Sequence, residues 1–174
     1  LRNVKNAVNI VNNSKYVMLE TRQPLHFYEY DKLGDTLVIR NAKDNEELMT
    51  LDGIKRNLSS DDIVIANREN AIGLAGVMGG LSTEVDENTK NIFIESAIFD
   101  NISVRLTSKK ILRSEASNRF EKGLDPKRTY MAIERSCNLL NNYANGEVTD
   151  NLIEYNTLEI VDKVIDIKVS EINS

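Results

Sequence analysis

The stretch from residue 61 to residue 80, DDIVIANRENAIGLAGVMGG, decides the fold class. It reads as two apolar, strand-length runs, and the second ends in glycines as a strand entering a tight loop does. Working outward, TLVIRNA (36–42) is β-branched and alternating, and NIFIESAIF (91–99) is another apolar run of strand length. ELMTLDGIKRNL (47–58) places Asp52-Gly53, a favoured tight-hairpin dipeptide, between two strand-like runs. The period then changes. ISVRLTSKKIL (102–112) predicts a short helix, and RSEASNRFEKG (113–123) a polar loop with a helical turn. A long helix follows, with Asp125 as its N-cap and Pro126 at its first position. Tyr130, Ile133, Cys137, Leu140 and Ala144 share one face, and Gly146 is its stop. Residues 1–32 have a helical or mixed character, and the tail segments EVTDNLIEYN (147–156) and TLEIVDKVIDIKV (157–169) return to strand-like alternation. Strands dominate, helices flank them, and the order is not a regular βαβα alternation. The prediction is an α+β fold in one domain over residues 1–174.

Composition narrows the function classes. An apolar share of 41% is enough to bury a core and too high for a disordered chain. No apolar run approaches the roughly 20 residues a membrane-spanning helix needs. One cysteine, Cys137, excludes an internal disulfide framework and a cysteine-cage zinc site, and one histidine, His26, excludes a His-rich metal site. A net charge of −5 argues against generic nucleic-acid binding, which needs a positive surface. The opening LRNVKNAVNI lacks the apolar stretch of a signal peptide, which together with the free cysteine predicts a cytoplasmic location. The start at Leu1 and the end in mid-pattern predict a fragment of a longer protein.

Several residues stand out chemically. His26 follows Pro24-Leu25 and is either a packed structural imidazole or a group that positions water or substrate. LAGVMGG (74–80) lacks the Gly-Lys-Ser/Thr ending of a phosphate loop and the three-glycine dinucleotide pattern. It is either a simple turn or a place where backbone approaches a ligand. Glu95 interrupts an apolar strand, so it is either solvated on an exposed face or a buried carboxylate that requires a partner. No second carboxylate forms a motif with it, and nothing resembles a nucleophile elbow. Lys109, Lys110, Arg113, Arg119, Lys122, Lys127 and Arg128 concentrate in one segment, interleaved with Glu115, Glu121 and Asp125. They form either a solvated mixed-charge face or a basic patch for an RNA backbone.

Five stretches taken together resemble the B3/B4 region of the bacterial phenylalanyl-tRNA synthetase beta-subunit family. They are YVMLE with QPLH (16–26), TLDG (50–53), LAGVMGG with TEV (74–85), IESAIFD (94–100) and SEASNRFEKGLDP (114–126), in the family's order and at nearly its spacing. The resemblance implies an α+β fold around a mixed or antiparallel barrel-like sheet, and an editing activity that hydrolyses tyrosine wrongly attached to phenylalanine tRNA. It gives Glu95 the recognition of the tyrosine hydroxyl. It gives Ala75, Gly76, Gly79, Ser114 and Ala116 the shaping of the amino-acid site. His26, with Ser14, takes the catalytic place beside the aminoacyl ester, and Lys15 lies near the site. His26 is expected to orient the tRNA end or the attacking water. No metal or cofactor is implied in this domain, since ATP and magnesium belong to the parent synthetase's aminoacylation site. The implied partners are the acceptor end of tRNA(Phe), the alpha subunit and other beta-subunit domains of the family's heterotetramer, with no membrane.

The chain departs from the family pattern near the site. Asn12-Asn13-Ser14-Lys15 replaces the usual Asp-Ile-Thr-Asn, Arg22 replaces a glycine, and Phe27-Tyr28 replaces Ala-Phe. One residue is missing around Ile111-Leu112. Two functions follow. If Glu95 is desolvated and faces an open cavity, the domain edits. If Phe27 or Arg22 fills that cavity, it is a non-catalytic structural or tRNA-contacting module.

Overall fold

Short strands with one apolar face become stable by packing on one another and on helices. The computed structural model describes residues 7–149, 152–158 and 164–172 and arranges them in that way. The order is α1 (Ala7–Thr21), β1 (His26–Glu29), α2 (Tyr30–Leu33), β2 (Val38–Asn41), β3 (Glu47–Met49), β4 (Lys55–Asn57), β5 (Ile63–Ala66), β6 (Ala71–Leu74), β7 (Met78–Gly79), β8 (Ile92–Glu95), α3 (Asn101–Lys110), α4 (Ser117–Phe120), α5 (Lys127–Ala144) and α6 (Val169–Ile172). A 3₁₀ turn, Leu81–Thr83, leads out of β7.

Every strand pairing is antiparallel. A four-stranded sheet has the order β2-β5-β6-β7, and two ribbons, β1-β8 and β3-β4, flank it. The β3-β4 hairpin turns at Asp52-Gly53 as predicted. Gly53 has φ 74°, a left-handed value that favours glycine, and its N–H donates to the Thr50 carbonyl at 2.8 Å. A bridge between Thr50 and Gly80 ties this hairpin to the end of β7. The described strands do not close into a barrel, because β2 and β7 are the edges of the four-stranded sheet and the ribbons remain two-stranded. The barrel-like expectation is corrected to a sheet with two attached ribbons.

Three apolar clusters hold these layers together. Tyr28, Leu33, Ile65 and Ile72 pin the β1-β8 ribbon to the sheet. Leu48, Leu58, Val64, Leu74, Val104 and Phe120 join the hairpin, the sheet, α3 and α4. Ile10, Phe27, Ile92, Leu140 and Ala144 join the ribbon to α1 and α5. Asp62, almost fully buried, accepts from Thr107 Oγ1 at 2.8 Å and Lys110 Nζ at 2.9 Å, which fastens α3 to the start of β5.

The long helix differs in detail from its prediction. Its buried positions are Ala132, Ser136, Leu140 and Ala144, whereas Tyr130 is 49% exposed. Small residues let α1 approach closely. Ser136 Oγ donates to Asn13 Oδ1 at 2.8 Å and Asn13 Nδ2 donates to the Ser136 carbonyl at 3.2 Å, so a polar pair is part of this seam. The helix starts one residue later than predicted, at Lys127 with Pro126 in the cap position, and Asp125 just before it accepts from the Lys127 N–H at 3.0 Å. At the other end Asn145, not Gly146, takes the left-handed conformation (φ 51°), and the Gly146 N–H donates to the Leu140 carbonyl. The predicted tail strands are not formed at 152–158 or 164–168, where apolar residues such as Ile153 and Val164 are exposed. Alternation makes a strand only when a sheet edge accepts its backbone. The remaining residues of those predicted strands lie partly outside the described residues. The Tyr130 hydroxyl donates to Glu154, which lays the tail against α5.

Leu140 is 1% exposed in the α1–α5–ribbon cluster, and Leu106 on α3 is 60% exposed. We expect Leu140→Ala to lower stability by about 2–5 kcal/mol and Leu106→Ala by under about 0.5 kcal/mol, read as urea midpoints. Equal losses would contradict the assigned core.

Candidate functional site

The cavity lies between the β1-β8 ribbon, the β6-β7 turn and α4. In a strand, alternate side chains share a face. On β1 this sends His26 and Tyr28 inward to the cavity, while Phe27 packs with Ile10, Ile92, Leu140 and Ala144. His26 is paired with Glu95 across the ribbon, so the imidazole and the carboxylate are direct cross-strand neighbours. The cavity has a volume of about 80 Å³. Its walls are Pro24, Leu25, Ile65, Gly73, Leu74, Gly76, Val77, Met78, Gly79, Phe99, Ala116 and Phe120. His26, Tyr28 and Glu95 supply its titratable groups.

The glycine loop has two separate jobs. Gly76 sits in a turn closed by the Val77 N–H donating to the Leu74 carbonyl at 3.1 Å. Its φ of 68° favours glycine, and a Cβ there would press on Phe120 and Val104 at 3.0 Å. Gly79 admits the imidazole. A Cβ there would lie 2.3 Å from His26 Cε1 and 2.6 Å from Nε2, so any larger residue must displace the ring. The ring also meets Tyr28 edge-on, with centroids 4.4 Å apart.

The Tyr28 hydroxyl donates to Glu95 Oε2 at 2.5 Å. Burial raises the Glu95 pKa to about 7, with the Tyr28 hydrogen bond acting in the opposite direction. Burial, with the nearby Glu95 charge, raises the Tyr28 phenol well above its ordinary value, so the shared proton stays on Tyr28. Burial lowers His26 to about 4, so the imidazole is neutral near pH 7. A neutral imidazole of this basicity is suited to orienting water through hydrogen bonds more than to holding a proton. The site therefore offers one carboxyl acceptor in the wall of a largely apolar cavity and one neutral imidazole as its cross-strand neighbour.

Of the residues singled out in the sequence, the structure brings together His26, Glu95, Gly76, Gly79 and Ala116. It does not bring Ser14, Lys15, Ala75 or Ser114 to the cavity wall. Ser14 is on α1 with its hydroxyl donating to the Val11 carbonyl at 2.9 Å, and Lys15 is exposed on the same helix. Ala75 is buried within the β6-β7 turn, where its N–H donates to the Ile63 carbonyl. Ser114 Oγ donates to the Val77 carbonyl at 2.9 Å and accepts from the Ser117 N–H at 3.1 Å, which couples the glycine turn to α4. Neither Phe27 nor Arg22 lines the cavity. Arg22 is exposed and ends α1 in a left-handed conformation (φ 66°). Tyr28 stands in the sequence only as a departure from the family's Ala-Phe, and its bond to Glu95 has no sequence signal beyond two-residue spacing from His26. The basic segment is largely paired within the fold. Lys110 bonds Asp62, Arg119 bonds Glu115, Arg113 faces Glu121 at 3.8 Å, and Arg128 donates to the Thr21 carbonyl. No group of three or more His, Cys, Asp or Glu placed to hold a metal occurs among the described residues, and none of their helices is long and apolar enough to cross a membrane.

Glu95 makes stability depend on pH with a definite sign. Its carboxyl is raised from 4.5 to about 7, so between those values the folded state holds a proton that the unfolded state has lost. Stability falls as pH rises through that window. His26, lowered from 6.5 to about 4, acts oppositely as pH falls, but it is common to the wild type and a Glu95 variant. We expect Glu95→Gln to be more stable than wild type by on the order of 2 kcal/mol at pH 8 and to approach parity near pH 4. Parallel stability curves would contradict a buried carboxylate.

Residues 1–145 match the family model described as the B3/4 domain. The chain is 43% identical over 175 residues to the phenylalanine–tRNA ligase beta subunit of Bacillus cereus (strain ZK / E33L), covering 99% of this chain and 21% of that protein. It is 46% identical over 167 residues to the beta subunit of Staphylococcus saprophyticus, covering 95% of this chain and 21% of that protein. It thus spans about a fifth of the length of the curated relatives it matches. Among solved structures, an N-terminal fragment of the phenylalanyl-tRNA synthetase beta subunit from Pyrococcus horikoshii is similar at 14% identity with a TM-score of 0.45, over 53% of this chain and 36% of that one. The chain belongs to the B3/4 domain family.

Proposed function

We propose that this chain is the editing domain of a phenylalanine–tRNA ligase beta subunit, hydrolysing tyrosine that has been esterified to tRNA(Phe). The observation that carries the reading is Glu95, a half-buried carboxyl bonded to Tyr28 in the wall of a cavity otherwise lined mainly by aromatic, aliphatic and small residues. An apolar phenylalanine site rejects an isostere with one added hydroxyl by only about 10²-fold. A second site holding a buried acceptor sorts the pair in the other direction. The tyrosine phenol satisfies the Glu95 oxygen that Tyr28 leaves free, whereas phenylalanine leaves that oxygen without a donor.

In this reading the phenol points at Glu95 and the ester lies by His26, its cross-strand neighbour. Water oriented by the neutral imidazole attacks the ester carbonyl, and the bond to the ribose oxygen breaks. Tyrosine leaves as its carboxylate, one proton of the attacking water regenerates the terminal ribose hydroxyl of the tRNA, and the other passes to solvent. The ester is an activated acyl group, so placing water and substrate is the main task. His26 acts as a positioning group, and Gly79 leaves room for it. Gly76 and Ala116 keep the walls slim enough for an aromatic ring. The partners in this reading are the acceptor end of tRNA(Phe), the alpha subunit and the remaining beta-subunit domains, all in the cytoplasm. The open cavity, filled by neither Phe27 nor Arg22, favours editing over a non-catalytic module.

The test is hydrolysis of tyrosyl- and phenylalanyl-tRNA(Phe) by the parent synthetase, with and without Glu95→Ala. We expect selective hydrolysis of the tyrosyl ester, and a fall in that selectivity of roughly 10- to 100-fold in the variant. An aminoacylation-competent enzyme with no hydrolysis above background would make the domain a structural or tRNA-contacting module. Unchanged selectivity in Glu95→Ala would remove Glu95 from recognition.

A further inference from the structure

Tyr28 stands out among the groups the reaction does not use. Its ring is fully buried and packs with Leu33, Ile65 and Ile72, yet its hydroxyl reaches through the ribbon face to Glu95. The two residues are offset by two positions across the ribbon, Glu95 lying opposite His26 and Phe93 opposite Tyr28. A diagonal contact of this kind is within reach of an aromatic side chain. Tyr28 donates to Oε2. Among the described residues nothing donates to Oε1, and Glu95 lines the cavity.

We propose that Tyr28 is a positioning residue for Glu95: by fixing one carboxyl oxygen it presents the other to the cavity as the acceptor for a ligand's phenol. The inference deepens the editing reading and rests on it for the identity of the ligand. A carboxylate in an apolar wall has two weaknesses as a recognition group. Its side chain can rotate away from the ligand, and burial favours its neutral form. One hydrogen bond from Tyr28 counters both. A charged acceptor binds a phenol more strongly than a neutral one, and it penalises a bare phenyl ring more. Among the residues facing Glu95 in the cavity, from the ribbon, the β6-β7 turn and α4, His26 and Tyr28 are the other titratable groups. His26 is neutral over the working range. Burial raises the pH from which the site distinguishes tyrosine from phenylalanine, and the hydroxyl of Tyr28 moves it back down.

Tyr28→Phe keeps the ring and its packing and removes the donor alone. The measurement is equilibrium binding, between pH 6 and 9, of non-hydrolysable amide analogues of 3′-tyrosyl- and 3′-phenylalanyl-adenosine to the parent synthetase and to this variant. Aminoacylation activity serves as the check on folding. We expect the wild type to prefer the tyrosyl analogue from about neutral pH upward. In the variant the midpoint of that preference should move up by about one pH unit, which is a loss of preference of about fivefold at pH 7, approaching about tenfold at pH 6, and little change at pH 9. Binding of the phenylalanyl analogue should change far less. An unchanged pH profile would overturn the proposal. So would a rise in tyrosyl preference at every pH, since that would make the Tyr28 phenol a competitor for Glu95. A wild type that shows no preference overturns it as well. Binding preference without hydrolysis leaves Tyr28 and Glu95 in these roles and rejects the catalytic reading, so the two ideas fail separately.

Discussion

The register of two short strands is the constraint on which the site depends. β1 and β8 meet over four residue pairs, and the pairing of His26 with Glu95 puts the imidazole and the carboxylate on one face of the ribbon. A slip of one residue would turn Phe27 and Ile94 toward the cavity, and would send His26 and Tyr28 into the apolar layer of α1 and α5. That register is fixed on both sides. Phe27 and Ile92 are buried in the helix layer, and Tyr28 is buried against the sheet. The same packing that stabilises the ribbon therefore aims the polar groups.

The second constraint is space. A backbone hydrogen replaces a side chain where His26 crosses Gly79, and a left-handed glycine makes the turn that lets Val104 and Phe120 close beneath it. Ser114, at the foot of α4, bonds the Val77 carbonyl and so joins the turn to the helix that carries Ala116 and Phe120 to the cavity. Ser114 acts on the cavity through the backbone without lining it. The helix pair α1–α5 does not line the cavity. Its contribution is to bury the outer face of the ribbon through Ile10, Leu140 and Ala144.

The fold class, the Asp52-Gly53 hairpin and the long helix were legible because each rests on a local pattern: alternation, turn chemistry and a capped helical period. The seam of α5 was less so. Periodicity favoured Tyr130 and Ile133, but close approach to α1 selected Ala132 and Ser136, and the Asn13–Ser136 pair spans 123 positions that no local window covers. At 152–158 and 164–168 the tail misled for the complementary reason, since alternation there joins no sheet edge among the described residues. Within the site, Glu95 was legible as a carboxylate in an apolar run, and His26 and the glycines as unusual residues at turns. Tyr28 was not, because its role comes from a cross-strand diagonal. Resemblance alone pointed to Ser14 and Lys15, which face away from the cavity wall on α1.

The central claim is that Glu95 terminates a cavity built to take a phenol. Its most direct test is a crystal structure of the parent synthetase with the amide analogue of 3′-tyrosyl-adenosine. The account predicts the tyrosine ring between Ala116 and the glycine turn, its hydroxyl within about 2.5–3.0 Å of Glu95 and the amide beside His26. A ligand seated elsewhere, or one whose hydroxyl points away from Glu95, would contradict it.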